Sequence, residues 1–290
     1  MGMGSVAALG IGVWVFGIPL EEITSVVSDP QPRYTVALMW MNNVTQISTF
    51  LIPVLIQLVV FGRNSIHGLL MHRGSWLVAL SPLVILFAGG LIDLSSTLNQ
   101  LLIPEGSSVE RIFKPMEEIA AHLTTMILTT DSPGHLIIAF ISIAIIPSVC
   151  EELAFRGVMQ PLLAKMFRNV HAAIWITAIA FSVFHMQFYG FIPRVLLGGL
   201  MGYLLIWTGS IWAPVFAHFV NNAFAFFLFR YYGSLESPDG SVQDQWYTYL
   251  ITTALFVLLV ALFLKNSRWP WISFEYLGIT KKKEEGITPP

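Results

Sequence analysis

The chain has 290 residues, of which 55% are hydrophobic and only 11% charged, with a formal net charge of −2. An ordinary soluble domain carries charge on about a quarter of its positions, so this deficit, with a mean hydropathy of +0.71, excludes a water-facing surface and leaves the bilayer as the solvent. The balanced charge gives no footing for nucleic acid or a polybasic lipid anchor, and a single cysteine, Cys150, excludes an internal disulfide.

Apolar stretches long enough to cross roughly 30 Å of hydrocarbon lie near 3–20, 36–61, 76–101, 135–163, 172–188, 192–208, 210–230 and 246–265. The expected fold is all-α, a polytopic membrane bundle of about eight transmembrane helices. The first stretch begins Met-Gly-Met-Gly-Ser-Val, which lacks the Ser or Thr of a myristoylation signal at its sixth position. No basic residue precedes it as in a signal peptide, so it reads as a retained span. Between the third and fourth stretches, at about 102–134, the charged residues Glu110, Arg111, Lys114, Glu117 and Glu118 alternate with Ile112, Phe113, Ile119 and Leu123 at helical spacing. An amphipathic helix lying in the membrane interface is expected there. The chain thus divides into N-terminal transmembrane helices plus the interfacial helix (1–134), a transmembrane core (135–265) and a polar tail (266–290) ending in Lys-Lys-Lys-Glu-Glu-Gly and four further residues.

Lys and Arg distribution orients the bundle, because cytoplasmic loops retain positive charge. With the N-terminus inside, one side carries Arg63, Arg73, Arg156, Lys165, Arg168, Lys265, Arg268, Lys281, Lys282 and Lys283. The other carries Arg33, Arg111, Lys114, Arg194 and Arg230, beside the acidic Glu236, Asp239 and Asp244. Both termini are expected to be cytoplasmic. Asn43-Val-Thr45 fits a glycosylation acceptor but falls inside a span.

An ionisable group within a span costs roughly 2.5–3.5 kcal/mol and calls for a partner or a function. Glu152 and Arg156 are four apart and can face each other on a helix, whereas Glu151 is rotated by about 100° and remains free for chemistry. His185 follows Phe181 by one turn in the fifth span, and His218 and Asn222 share one face of the seventh. At about 1.5 Å per residue, Glu151 and His185 both lie roughly 20 Å from the cytoplasmic ends of their helices, so they can meet at one depth. A carboxylate and an imidazole sharing a water, opposite a second imidazole and an amide, suit hydrolysis: Glu151 and His185 activate water, and His218 and Asn222 donate to the oxyanion. Each feature alone has a blander explanation, since a buried His in a bundle commonly serves packing and a Glu–Arg cluster can be structural. All three sets within four consecutive spans favour a site. Asp93, Asn42, Asn43, Gln46, Asn99 and Gln100 read as helix ends, interhelical hydrogen bonds or a wet cavity, with Asp93 the most open to a direct role. Gly198, Gly199 and Gly202 suit close helix approach.

Glu151-Glu152-Leu-Ala-Phe-Arg156, Phe181-Ser-Val-Phe-His185 and His218-Phe-Val-Asn-Asn222 fit, in order, E-E-x-x-x-R, F-x-x-x-H and H-x-x-x-N. In this the chain resembles the CAAX protease and bacteriocin-processing (CPBP, Abi) family of intramembrane endopeptidases, which includes the Ras-converting CAAX endopeptidase. The resemblance covers roughly 135–230. It implies a bundle of about eight helices around a conical catalytic cavity, with Glu151 and His185 activating water, His218 and Asn222 stabilising the oxyanion, and Glu152, Arg156 and Phe181 in support. The implied partners are membrane lipids and a membrane-associated peptide or protein substrate, prenylated and CAAX-like or of another kind.

No cofactor is favoured. Zinc is the alternative, since Glu151, His185 and His218 could supply three ligands, but the His-Glu-x-x-His arrangement is absent and an Asn at 222 suits hydrogen bonding better. A non-enzymatic transporter or scaffold using the same polar cluster is the competing function.

Overall fold

The structure, a computed structural model, describes residues 3–29, 31–61, 76–130, 132–233 and 246–267. Among these every regular element is helical: α1 (Met3–Trp14), α2 (Pro32–Val60), α3 (Trp76–Leu101), α4 (Ser108–Leu128), α5 (Pro133–Phe167), α6 (Val170–Phe184), α7 (Phe188–Thr208), α8 (Trp212–Tyr232) and α9 (Tyr247–Asn266), with a short turn of helix at Ile23–Ser28. The polytopic all-α membrane bundle expected from composition is therefore what the chain forms.

Among the described residues six helices, α2, α3, α5, α7, α8 and α9, are long and apolar enough to cross a membrane. Two expected spans are shorter than their apolar stretches. Helix α1 has 12 residues and α6 has 15, about 18 and 22 Å at 1.5 Å per residue, against roughly 30 Å of hydrocarbon. The apolar run continues past α1, but the chain turns at Gly17, which takes a left-handed φ of 65°. At the end of α6, Met186 takes a φ of 54°, so the helix ends at Phe184 with His185 as its C-cap.

The bundle closes on α7. Its Met201, Leu204 and Trp207 pack with Val84 of α3, Ala217 of α8 and Phe263 of α9 in one buried cluster. Toward α6 the contact is closer, and its glycines explain why. A Cβ at Gly199 would lie 2.8 Å from the Trp175 ring, and one at Gly202 would lie 2.9 Å from Ile174 Cγ2 and 2.8 Å from Gln160 Oε1. The small-residue stripe thus does what its spacing suggested.

Prolines inside these helices leave carbonyls without their i+4 donor, and in hydrocarbon such carbonyls need another partner. Pro82 orphans Val78 O, which accepts from Ser81 Oγ at 2.7 Å. Pro193 orphans Tyr189 O, which accepts from Asn99 Nδ2 at 2.9 Å. Pro147 orphans Ile143 O, which accepts from Asn222 Nδ2 at 3.0 Å.

The amphipathic helix expected within 102–134 is α4. Ser107 Oγ caps it by accepting from the Glu110 N–H at 3.1 Å, and the Glu110 carboxylate accepts from the Gly106 N–H at 2.6 Å. That N–H, with Lys114 as the next contributor, holds the Glu110 carboxyl below the usual carboxylate range. Phe113 stacks on Phe188 with ring centroids 3.8 Å apart, so α4 docks beside the segment joining α6 to α7. Of the residues used to orient the bundle, Arg63, Arg73, Glu236, Asp239, Asp244, Arg268, Lys281, Lys282 and Lys283 lie outside the described residues, as does the tail beyond 267.

Candidate active site

Helix α5 supplies two adjacent carboxylates that meet different surroundings. Glu152 is fully buried, and its Oε1 accepts from Arg156 Nη1 and from His218 Nδ1, each at 2.9 Å. Arg156, also fully buried, donates from Nη2 to Gly198 O at 2.9 Å and lays its guanidinium on the Phe181 ring, 4.8 Å from the centroid. The i,i+4 ion pair read from spacing is therefore present. It is completed by a backbone carbonyl of α7, 42 residues on.

Glu151 has 3% of its surface exposed. Its Oε1 accepts from Gln46 Nε2 of α2 at 3.1 Å, while Oε2 has no hydrogen-bond partner and lies 4.0 Å from His185 Nε2. That separation is too long for a direct bond and suits one bridging water. His185 Nδ1 is 2.8 Å from Phe181 O. A carbonyl only accepts, so Nδ1 carries a hydrogen, and when the ring is neutral Nε2 turns a lone pair toward Glu151.

His218, 5% exposed, is not opposite the acidic pair but joined to it, because its Nδ1–H donates to Glu152. This leaves Nε2 as its other polar atom. Asn222 uses one Nδ2 hydrogen on Ile143 O and keeps a second, while its Oδ1 accepts from Asn221 Nδ2 at 3.3 Å. Phe181 underlies the set, with its ring 4.7 Å from that of His185 and 6.0 Å from that of His218. It packs edge-on to Phe155, which in turn contacts Phe50 and Phe184.

Three π-helical segments border this cluster. Ile47–Leu51 follows Gln46, Ile141–Ile145 contains the carbonyl that Asn222 meets, and Leu153–Met159 follows Glu152 and contains Arg156. Such widened turns frequently accompany functional sites.

The structure thus brings Glu151 to His185 and Glu152 to Arg156 and His218, with Phe181 beneath. One expectation needs revision in detail: His185 sits at the C-terminal cap of α6 rather than inside the helix, because the chain turns at Met186. Of the readings open for Gln46 (a helix end, an interhelical hydrogen bond or a wet cavity), the structure shows an interhelical hydrogen bond, made to Glu151 itself, and the sequence signal for it is only a polar residue inside a span. Asp93 lies elsewhere, exposed on α3, where it accepts from Tyr249 Oη of α9 at 2.6 Å. Among the described residues no three His, Cys, Asp or Glu side chains are grouped so as to hold a metal ion.

Residues 133–224 match the type II CAAX prenyl endopeptidase Rce1-like family, the span that carries all three motifs and bears out the resemblance drawn from them. A stretch of 101 residues is 29% identical to the uncharacterized protein YpbD of Bacillus subtilis (strain 168), covering 33% of this chain and 47% of that protein. The chain therefore spans about half the length of this curated relative. No solved structure matches the chain.

Proposed function

We propose that this chain, a multi-pass membrane bundle whose residues 133–224 carry an Rce1-like segment, is an intramembrane endopeptidase acting on a membrane-associated peptide by a water activated between Glu151 and His185. The observation that carries the reading is the 4.0 Å gap between Glu151 Oε2 and His185 Nε2, two acceptors facing one another with Oε2 otherwise unpartnered. A water in that gap donates one hydrogen to each and keeps its lone pairs for a peptide carbonyl. Attack on that carbon forms the tetrahedral intermediate, and the water's proton passes to Glu151. As the C–N bond breaks, that proton goes to the departing amine.

The developing oxyanion is met by His218 and Asn222. His218 Nδ1–H is held on Glu152, so its Nε2 is the ring atom turned to the oxyanion and a hydrogen there is the donor, while Asn222 offers its second Nδ2 hydrogen. Each such donor is worth about 3–4 kcal/mol in the transition state. Glu152 and Arg156 hold His218 in register, and Phe181 supports Arg156 and both imidazoles. The reading is metal-free. A zinc centre needs three or four converging ligands, and the described His, Cys, Asp and Glu side chains form no group of three that could hold a metal ion.

The substrate class that the family description suggests is a prenylated CAAX-type C-terminus, and the Lys and Arg distribution supports a cytoplasmic side for both termini. The full-length protein, reconstituted in liposomes, should cleave a farnesylated CAAX peptide, and Glu151→Gln should lower that cleavage by about 100-fold or more with unchanged expression. Unchanged cleavage in Glu151→Gln would defeat the assignment of Glu151, and a wild-type chain that leaves the peptide intact would favour a transport or scaffold role for the polar cluster. Abolition by a chelator with restoration by zinc would overturn the metal-free chemistry.

A further inference from the structure

The matched segment begins at residue 133, yet one hydrogen bond to the central carboxylate comes from 105 residues earlier in the chain. Gln46 Nε2 on α2 donates to Glu151 Oε1 at 3.1 Å. An ionised carboxylate only accepts, so the amide must present its NH2 edge to it, and Gln46 Oε1 is left buried without a partner. The same face of α2 is clamped on both sides of the site. Phe50, one turn on, packs against Phe155 at 5.5 Å and Phe184 at 6.1 Å. Phe155 belongs to the π segment after Glu152, and Phe184 is the last residue of α6 before His185. Gln46 is therefore held at a defined position relative to both reacting groups.

We propose that Gln46 is a positioning residue for the reaction: by occupying Oε1 it fixes the Glu151 carboxylate so that Oε2 is the oxygen presented to His185, and α2 completes the active site from outside the Rce1-like segment. This rests on the endopeptidase reading above. Without the donor, the carboxylate is free to rotate about its last bond, and the 4.0 Å water gap is no longer maintained. A hydrogen bond to a charged group is lost, which corresponds to a rate effect of about 10- to 100-fold. Because Gln46 reaches Glu151 and not the scissile bond, the loss falls on kcat and leaves KM within about twofold.

Two readouts on the full chain in liposomes separate this from simple packing. In infrared difference spectra the Glu151 carboxyl band is assigned by its disappearance in Glu151→Gln. In Gln46→Leu that band should move, and with the farnesylated CAAX peptide as probe kcat should fall about 10- to 100-fold. Gln46→Met keeps the length of the side chain while removing the donor, and covers the case in which the leucine variant does not fold. Its kcat should fall as far. An unmoved band, or a loss confined to KM, overturns the proposal. A wild-type chain that leaves the probe intact while the band still moves counts against the endopeptidase reading alone, because the infrared arm needs no turnover.

Discussion

Glu152 and Asp93 are both acids on apolar helices, and the molecule treats them oppositely. Glu152 is fully buried and receives Arg156 from its own helix and His218 from α8, both on one oxygen at 2.9 Å. Asp93 is exposed on α3 and receives a single phenol, Tyr249 of α9, at 2.6 Å. A polar residue in a span is thus not in itself a site. What marks the site is convergence from several helices at full burial, where the desolvation of the pair is costly. Replacing such a pair with apolar residues of similar size is often neutral or stabilising, so packing alone gives no reason to keep it.

The comparison can be broken most forcefully at Arg156. Arg156→Met takes the guanidinium from the buried Glu152 carboxylate, leaving it only the His218 bond, and should cost about 3–5 kcal/mol, read by thermal unfolding in detergent. The double variant Glu152→Leu with Arg156→Met should recover much of that stability while remaining inactive. A double variant as unstable as the single one would mean that the charges are not coupled. Gly198→Ala is expected to rank next. Its Cβ would meet the Ala178 backbone at 3.2 Å and Arg156 Nη2 at 3.3 Å, an overpacking of about 1–3 kcal/mol that also disturbs the carbonyl bonded to Arg156. Asp93→Asn should cost about 1 kcal/mol and leave peptide cleavage unchanged. A large loss of turnover there would erase the distinction between the two acids.

The smallest effects belong to α4, whose N-terminus is held by local bonds at the surface. Ser107→Ala should cost about 1 kcal/mol. Glu110 has its carboxyl lowered by the Gly106 N–H and then by Lys114. Its contribution is therefore complete above the ordinary carboxylate range and is lost as pH falls through its lowered folded value. Amide protection at residues 108–111, taken relative to intrinsic exchange, should fall over that acidic interval and hold steady on its alkaline side.

Much of the fold and part of the site were legible beforehand. Long apolar runs placed α2, α3, α5, α7, α8 and α9 to within a few residues, because crossing a bilayer demands both length and the near absence of charge. The amphipathic spacing of α4 was equally plain. The runs at 3–20 and 172–188 overstated α1 and α6, since hydropathy does not register a backbone turn at Gly17 or Met186. In the site, the Glu152–Arg156 pair followed from i,i+4 geometry alone, whereas the bond between His218 and Glu152 joins residues 66 apart and has no local signature. Asn222 likewise looked like a free donor, but Pro147 removes the N–H that Ile143 O would otherwise accept, and Asn222 answers it across the bundle.

The amino-acid sequence by itself determined the solvent, the helical class and the three motifs, because each depends on composition or on neighbours within one or two helical turns. The tertiary structure alone decided which carboxylate is neutralised by two partners and which faces an imidazole across a water-sized gap. It also decided that α2 reaches the site through Gln46. These outcomes depend on how close the helices come. At α6–α7 that distance is set by glycines facing Trp175 and Ile174, and at α2–α5 by Phe50 against Phe155, contacts between side chains far apart in the chain.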